Sequence, residues 1–243
     1  MGLKSHISEK YFKSKVSEKN LVGFTQTTPQ GNVIEGYISQ ETNKYLGSLV
    51  ITHVNGEPAN QFVQSMPKIH FYDRDTVISK DIESECFEKL DGTCLIIYPL
   101  KDEKDNIIEI VPKTRIRAVA DSNYLELYGK INQDAITDYY KHHDGILLFE
   151  LYGNLNPHEI EYDTDIDIKL IATYENGTFK ARHENFKKSD CVFTVKYEND
   201  KWNVNVTSEK FSRFFDEKSY TYPTNRDAIN GIYKLLENLN EQY

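Results

Sequence analysis

The chain has 243 residues, of which 39% are hydrophobic, so it is long enough to form one large domain or two small ones with a real core. No run of about 18 apolar residues occurs and the first residues contain no apolar signal region, which argues against a membrane span and predicts a cytoplasmic location. The net charge of −9 argues against a partner bound mainly by phosphate neutralisation, and three cysteines without a Cys-x-x-Cys pair argue against a zinc or disulfide framework.

Short apolar runs separated by Gly, Pro and Asn turn signals dominate the first third of the chain, after a charged start over residues 1–20. The runs are Val33 to Ile38, Leu46 to Val54 and Lys68 to Tyr72. This pattern predicts a small β-rich N-terminal subregion over residues 1–80 and a second, larger domain over residues 81–243.

The larger predicted domain combines strand and helix signals. Strands are predicted at Ile166 to Tyr174, Cys191 to Tyr197 and Lys201 to Val206, and helices at Asn132 to His142, Ser208 to Phe215 and Asn225 to Glu241. The last two strands are spaced for a hairpin, and Thr224 with Asp227 forms a capping pair for the last helix. The sequence therefore predicts an α+β fold dominated by antiparallel sheet.

Lys89 stands between two apolar runs and is followed by Asp91 and Gly92 in the string Glu-Lys-Leu-Asp-Gly-Thr. An ordinary lysine amine has a pKa of about 10.4 and is a poor nucleophile at neutral pH. Burial and nearby cations lower that pKa and activate the amine, and the apolar flanks supply part of the burial. Taken alone, the string also suits an exposed turn.

Two further polar residues stand at the ends of strand-like segments. Arg115 follows the run Ile107 to Val111, and its planar fork of donors suits a phosphate or a ribose. Glu150 lies in an apolar run that follows the turn signal Asp144-Gly145. A solvated strand end and an outward-facing glutamate are the plainer readings of these two residues.

In this order, Lys-x-Asp-Gly at Lys89, Lys-Thr-Arg at Arg115 and Phe-Glu-x-x-Gly at Glu150 resemble motifs I, Ia and III of the covalent nucleotidyltransferase superfamily. That superfamily contains the ATP-dependent RNA and DNA ligases and the mRNA capping enzymes. The likeness is greatest to the RNA ligases of phages and archaea and covers roughly residues 85–175. It implies a nucleotidyltransferase (adenylation, ATP-grasp-like) domain built on an antiparallel sheet.

The resemblance implies a role for each matched residue. Lys89 would be the catalytic nucleophile that carries AMP, and Glu88 would help to recognise the adenine edge. Asp91 and Arg115 would contact the ribose and the phosphates, next to Gly92 of the same motif. Glu150 would bind the ribose or help to place a metal ion, so that the implied cofactors are ATP and Mg²⁺.

The likeness is incomplete beyond Glu150. The segment in the position of motif IIIa, Asp165 to Ile171, lacks the expected aromatic partner for adenine, and Tyr174 is a weak candidate for that role. No convincing Glu-Gly-x-Val segment (motif IV) or Lys-x-Lys pair (motif V) follows Glu150. We expect the chain to stop before these motifs, so that the adenylation domain is incomplete at its C-terminus.

The predicted function is that of an ATP-dependent RNA ligase adenylation domain whose partner is RNA with 5′-phosphate and 3′-hydroxyl ends. A DNA ligase and a GTP-using capping-type enzyme are alternatives within the same superfamily. A non-catalytic nucleotide- or RNA-end-binding fragment is an alternative outside catalysis. A chance match on an unrelated α+β protein would leave Lys89, Arg115 and Glu150 far apart in space.

Overall fold

The computed structural model describes residues 2–67, 76–181, 184–186 and 190–240. Its described strand pairings are all antiparallel, and helices alternate with three sheets, so the predicted α+β, mostly antiparallel class is confirmed. The chain divides into a larger unit, Met1–Lys68 with Leu90–Lys188, and a smaller unit, Ile69–Lys89 with Ser189–Tyr243.

The N-terminal sheet of the larger unit is a meander of four strands. Helix α1 (Leu3–Phe12) precedes β1 (Leu21–Thr27), β2 (Val33–Ser39), β3 (Leu49–Val54) and β4 (Glu57–Val63), which pair in that order. Asn55 and Gly56 connect β3 to β4 with φ values of 53° and 84°. Two successive residues with positive φ form the tight turn that matches the twist of a hairpin.

The central sheet of the larger unit has five strands in the order β10-β9-β8-β6-β7. Its elements in chain order are β6 (Thr93–Lys101), β7 (Ile107–Lys113), α2 (Ser122–Lys130), α3 (Asp134–Tyr140), β8 (Ile146–Tyr152), β9 (Asp167–Glu175) and β10 (Thr178–Lys180). The short edge strand β10 covers only the last residues of β9, where Thr178 pairs with Glu175.

Both faces of the central sheet are buried, which explains the unbroken apolar run of β6. Ile96 and Tyr98 face the N-terminal sheet and share a core with Ile38 and Leu49. The alternate residues, Leu95 among them, pack against the side chains of α2 and α3. The predicted N-terminal subregion therefore shares its main core with residues 93–174.

The smaller unit is a four-stranded sheet covered by a helix. It contains β5 (Ser84–Phe87), β11 (Cys191–Glu198), β12 (Lys201–Val206), α4 (Glu209–Ser212), β13 (Ser219–Tyr222) and α5 (Asn225–Asn240), with sheet order β13-β12-β11-β5. Asn199 and Asp200 form the predicted hairpin turn, with φ values of 53° and 59°. Ile229 of α5 packs into the core that Trp202 fills.

The predicted cap of α5 is confirmed. The Thr224 hydroxyl accepts the backbone N–H of Asp227 at 3.1 Å and donates to the Asp227 carboxylate at 2.6 Å. The first bond satisfies a backbone donor of the first turn that has no partner within the helix, and the second orients the Thr224 hydroxyl. In the described part of the chain, no helix combines the length and the apolar character needed to cross a bilayer.

Some boundaries differ from the predicted ones. The helix predicted from Ser208 to Phe215 spans only Glu209–Ser212, because the aromatic residues that follow turn into the core of the smaller unit. The strand-like run Lys68 to Tyr72 lies in residues 68–75, outside the described residues. The limits of the two compact units do not coincide with the predicted division at residue 80.

Glu109 of β7 ties the turn between β1 and β2 to the central sheet. Only 3% of its surface is exposed. Its carboxylate accepts the hydroxyl of Thr28, the backbone N–H of Gln30 at 3.0 Å and the side-chain amide of Asn32 at 2.8 Å. A buried carboxylate is tolerated here because several donors satisfy it.

We therefore expect Glu109→Ala to lower the free energy of unfolding by about 1–3 kcal/mol, because it leaves buried donors without an acceptor. Urea denaturation followed by circular dichroism measures the change, with Glu103→Ala at an exposed position as the matched control. Equal transition midpoints for the two variants would contradict this reading of Glu109.

Candidate functional site

One end of the central sheet gathers the ends of three adjacent strands, β8, β6 and β7. Cys94, near the start of β6, pairs with Glu150 near the end of β8. Ile96 of β6 pairs with Lys113, the last residue of β7. Since neighbouring strands run antiparallel, the loop that enters β6 and the chain that leaves β7 and β8 meet at this end.

Asp91 anchors the loop that enters β6. Its carboxylate accepts the backbone N–H groups of Glu159 at 2.8 Å and Ile160 at 3.2 Å. Its own backbone N–H donates to the Tyr162 hydroxyl at 2.7 Å. Asp91 therefore connects the loop before β6 with the loop after β8, a structural role that its place in the motif did not predict.

Gly92 is required by a close backbone approach. A Cβ atom at this position would lie 2.3 Å from the carbonyl oxygen of Leu151, which belongs to β8. Real Cβ atoms do not approach backbone oxygens this closely, so any side chain would push the loop off the strand. The Asp-Gly pair of the motif thus has a packing reason in this chain.

Charged side chains of opposite sign flank the thiol of Cys94. Burial, and after it the Glu150 carboxylate, raise the pKa of Cys94 to about 11, against the opposing effect of Arg115 and Lys113. The thiol is therefore neutral near pH 7 and packs as a small residue between the charges. The predicted residues Arg115 and Glu150 are therefore both close to one cysteine.

Arg115 has an unsatisfied donor. Its Nε atom is buried and has no hydrogen-bond partner among the described residues. Buried side-chain nitrogens are nearly always bonded to a partner, so an orphan donor on a guanidinium points to an anionic or polar ligand. This donor set is the kind that binds phosphate.

Lys113 is the buried cationic residue of the site, and the sequence did not single it out. It is fully buried, and its Nζ atom donates to the carbonyl oxygens of Gly47 at 3.1 Å and Arg115 at 3.2 Å. Burial, aided by the Arg115 charge and opposed by Cys94, lowers the pKa of Lys113 to about 7. The sequence contained one signal for this burial. Lys113 lies two residues after the core residue Val111 in β7, so the two side chains lie on the same face of the strand.

Lys169 adds a second positive charge that the sequence did not identify. It is the direct cross-strand partner of Glu150, and its Nζ atom lies 5.9 Å from the centre of the Tyr152 ring. The weak candidate for an adenine platform, Tyr174, pairs instead with Ile146 at the start of β8. Tyr174 is therefore at the opposite end of the central sheet from Glu150.

Glu88 and Lys89 belong to the smaller unit. The Glu88 backbone N–H donates to the Asp190 carbonyl at 2.8 Å, and its Oε1 atom accepts the Lys210 amine at 3.0 Å. Its Oε2 atom is buried without a hydrogen-bond partner in the described chain. Lys89 follows β5 with an exposed side chain and is the last residue of the first segment of this unit.

The structure thus brings together Asp91, Gly92, Arg115 and Glu150 at one end of the central sheet, within the larger unit. The described residues contain no group of three or more His, Cys, Asp or Glu side chains suited to a metal ion. A Mg²⁺ ion beside Glu150 would therefore take most of its ligands from substrate phosphates and water, as Mg²⁺ commonly does. The metal role of Glu150 stays a prediction.

The opposite end of the central sheet has the wrong charge for a nucleotide. A depression there is lined by carboxylates: Asp102, Glu103, Asp105, Asp144 and Glu175. The one amine among them, Lys101, bridges Asp105 at 3.0 Å and Asp144 at 2.8 Å. A triphosphate would meet like charge at that end, so the end that carries Arg115 is the better candidate.

We expect Gly92→Ala to lower the free energy of unfolding by about 1–3 kcal/mol, because the added methyl group overlaps the Leu151 carbonyl. Gly129→Ala is the matched control, since its Cβ would meet nothing within 4 Å and it lies in α2. Thermal unfolding compares the two variants. A stable Gly92→Ala chain would contradict the close packing of this loop.

The lowered pKa of Lys113 predicts a stability that depends on pH. An unfolded lysine keeps its proton up to about pH 10.4, whereas folded Lys113 loses it near pH 7, so the unfolded state binds more protons between these values. The free energy of unfolding therefore rises with pH in this window, by roughly 1.4 kcal/mol per unit.

The measurement is urea denaturation between pH 7 and pH 9 on the wild type and on Lys113→Met. The difference between the two chains isolates Lys113 from the other titrating groups. A difference that does not change with pH would show that folded Lys113 is protonated throughout.

No protein-family model and no curated protein matches this sequence. What points to a function is a group of features at one end of the central sheet: four motif residues, a buried amine and an orphan guanidinium donor.

Proposed function

We propose that this chain is the adenylation domain of an ATP-dependent RNA ligase, a covalent nucleotidyltransferase. The observation that carries the proposal concerns unsatisfied polar atoms. In the described part of the chain, three buried side-chain atoms lack a hydrogen-bond partner, and two of them are Glu88 Oε2 and Arg115 Nε. Both belong to residues that the motifs assign to the nucleotide, and the orphan donor of Arg115, in the larger unit, is one that a nucleotide phosphate would satisfy.

The first step of the proposed reaction is a nucleotidyl transfer to Lys89. The unprotonated Lys89 amine attacks the α-phosphorus of ATP, a nitrogen–phosphorus bond forms, and the bond to the pyrophosphate oxygen breaks. Pyrophosphate leaves and the amine releases a proton to solvent. The product is a lysyl-AMP phosphoramidate.

The later steps join two RNA ends. A 5′-phosphate oxygen of RNA attacks the phosphorus of lysyl-AMP and displaces the lysine, which gives an RNA end capped by AMP through a pyrophosphate bond. A neighbouring 3′-hydroxyl then attacks the 5′-phosphate and displaces AMP, so that a phosphodiester bond forms. We place this activity in the cytoplasm, in the repair of broken RNA.

Electrostatics in the larger unit suits a bound nucleotide. Arg115 supplies a fixed positive charge and planar donors for the phosphates. Glu150 accepts a ribose hydroxyl or holds Mg²⁺, which would neutralise charge on the phosphates. The neutral Cys94 thiol near them adds no charge that would repel a phosphate.

Asp91 and Gly92 set the position of the chain next to Lys89. The Asp91 carboxylate is bound to the loop after β8, and Gly92 lies against Leu151. Three peptide links separate Lys89 from Gly92, which limits the distance between their Cα atoms to about 11 Å. Because this short connection limits how far Lys89 can lie from Gly92, we propose its amine as the nucleophile although the side chain is exposed.

The proposal predicts that the chain labels itself with AMP. Incubation with [α-³²P]ATP and Mg²⁺, followed by a denaturing gel, should give a covalent label that Lys89→Ala abolishes. Arg115→Ala should slow labelling by about 100-fold, the usual effect of removing a fixed donor to developing charge. Lys104→Ala, at an exposed lysine, is the matched control and should label normally.

The arms of this experiment separate the alternatives. A label from [α-³²P]GTP in place of ATP would favour a capping-type enzyme, and sealing of nicked DNA but not RNA would favour a DNA ligase. ATP binding without any label would favour the non-catalytic module. A label that persists in Lys89→Ala would contradict the proposed nucleophile.

A further inference from the structure

The turn that carries Arg115 is held from below by a buried amine. The carbonyl oxygen of Arg115 accepts hydrogen bonds from Lys113 Nζ at 3.2 Å and from Ser65 Oγ at 3.4 Å. The same amine donates to the Gly47 carbonyl at 3.1 Å. Lys113 thus connects the end of β7 with the loop between β2 and β3.

The contact with Gly47 leaves no room for a side chain at that position. Gly47 has a φ of +77°, and a Cβ atom there would lie 1.7 Å from the Arg115 carbonyl oxygen. The Gly47 backbone N–H donates to Ser39 at 2.7 Å, and the Ser65 backbone N–H donates to the Ser48 hydroxyl at 3.1 Å. The backbone of Arg115 is therefore packed against a loop that is itself hydrogen-bonded to β2.

An uncharged lysine suits these contacts better than a charged one. A neutral amine has two N–H donors, and the two carbonyls of Gly47 and Arg115 accept both. A protonated amine would bring a third donor and a buried charge close to the Arg115 guanidinium. The titratable groups that act on Lys113 are Cys94 of β6 and Arg115 itself.

We infer that Lys113 is a positioning residue, which holds the backbone of Arg115 so that the guanidinium faces an anionic ligand. The inference rests on the proposed function for the identity of that ligand, the phosphates of ATP. It adds a residue outside the matched roles and explains why a lysine side chain is buried next to the site. Lys113 acts through Arg115 and does not touch the nucleotide.

The experiment is a double-mutant cycle between Lys113 and Arg115, read out as the KM for ATP in lysyl-AMP formation. Lys113→Met keeps most of the length of the side chain and removes its donors, whereas Lys113→Gln keeps a neutral donor group. We expect Lys113→Met to raise the KM for ATP about tenfold, because the hydrogen bond that orients Arg115 is lost. We expect a smaller rise for Lys113→Gln.

The cycle separates positioning from general destabilisation. In an Arg115→Ala background, Lys113→Met should leave the KM for ATP unchanged, because the group that Lys113 positions is gone. Thermal unfolding of each variant shows the fraction folded at the assay temperature. Additive effects of the two substitutions on the KM would overturn the inference while leaving the proposed function intact.

A parallel measurement keeps the two proposals distinguishable. Calorimetric titration with the non-hydrolysable analogue α,β-methylene-ATP follows binding without chemistry in the same four chains. If no lysyl-AMP forms but binding shows the same non-additive pattern, the ligase proposal fails and the role of Lys113 stands. If Arg115→Ala leaves both labelling and binding unchanged, the inference on Lys113 is overturned.

Discussion

The pairing of β6 with β7 on one side and β8 on the other is the constraint on which the site depends. Because Cys94 is held opposite Glu150, and Ile96 opposite Lys113, the ends of three strands meet in one place. Both faces of β6 are buried, so a shift of register by one residue would exchange its two core faces. The same packing that stabilises the sheet therefore fixes the spacing of the charges.

The regular elements were largely predictable from the sequence, because their signals are local. The strand Lys201–Val206, the turn at Asn199 and the cap at Thr224 follow from alternation and short-range hydrogen bonds. The division into compact units was not predictable in the same way. It depends on contacts between residues far apart in the chain, as when β5 pairs with β11.

The candidate site was predictable as a set of residues but not as a set of roles. The motif brought Arg115 and Glu150 into consideration, and the structure places both next to Cys94. Asp91 proved to be an acceptor for two backbone N–H groups, which no spacing in the sequence reveals. The burial of Lys113 was also hidden, because it requires the loop around Gly47 to close over the end of β7.

The central claim is that Lys89, and no other lysine, forms a covalent bond to AMP. Tandem mass spectrometry of a digest made at neutral pH, after incubation with ATP and Mg²⁺, tests it most directly, since a phosphoramidate is lost in acid. The account predicts one adenylylated peptide with the modification on Lys89. An unmodified Lys89, or AMP on another lysine, would contradict it.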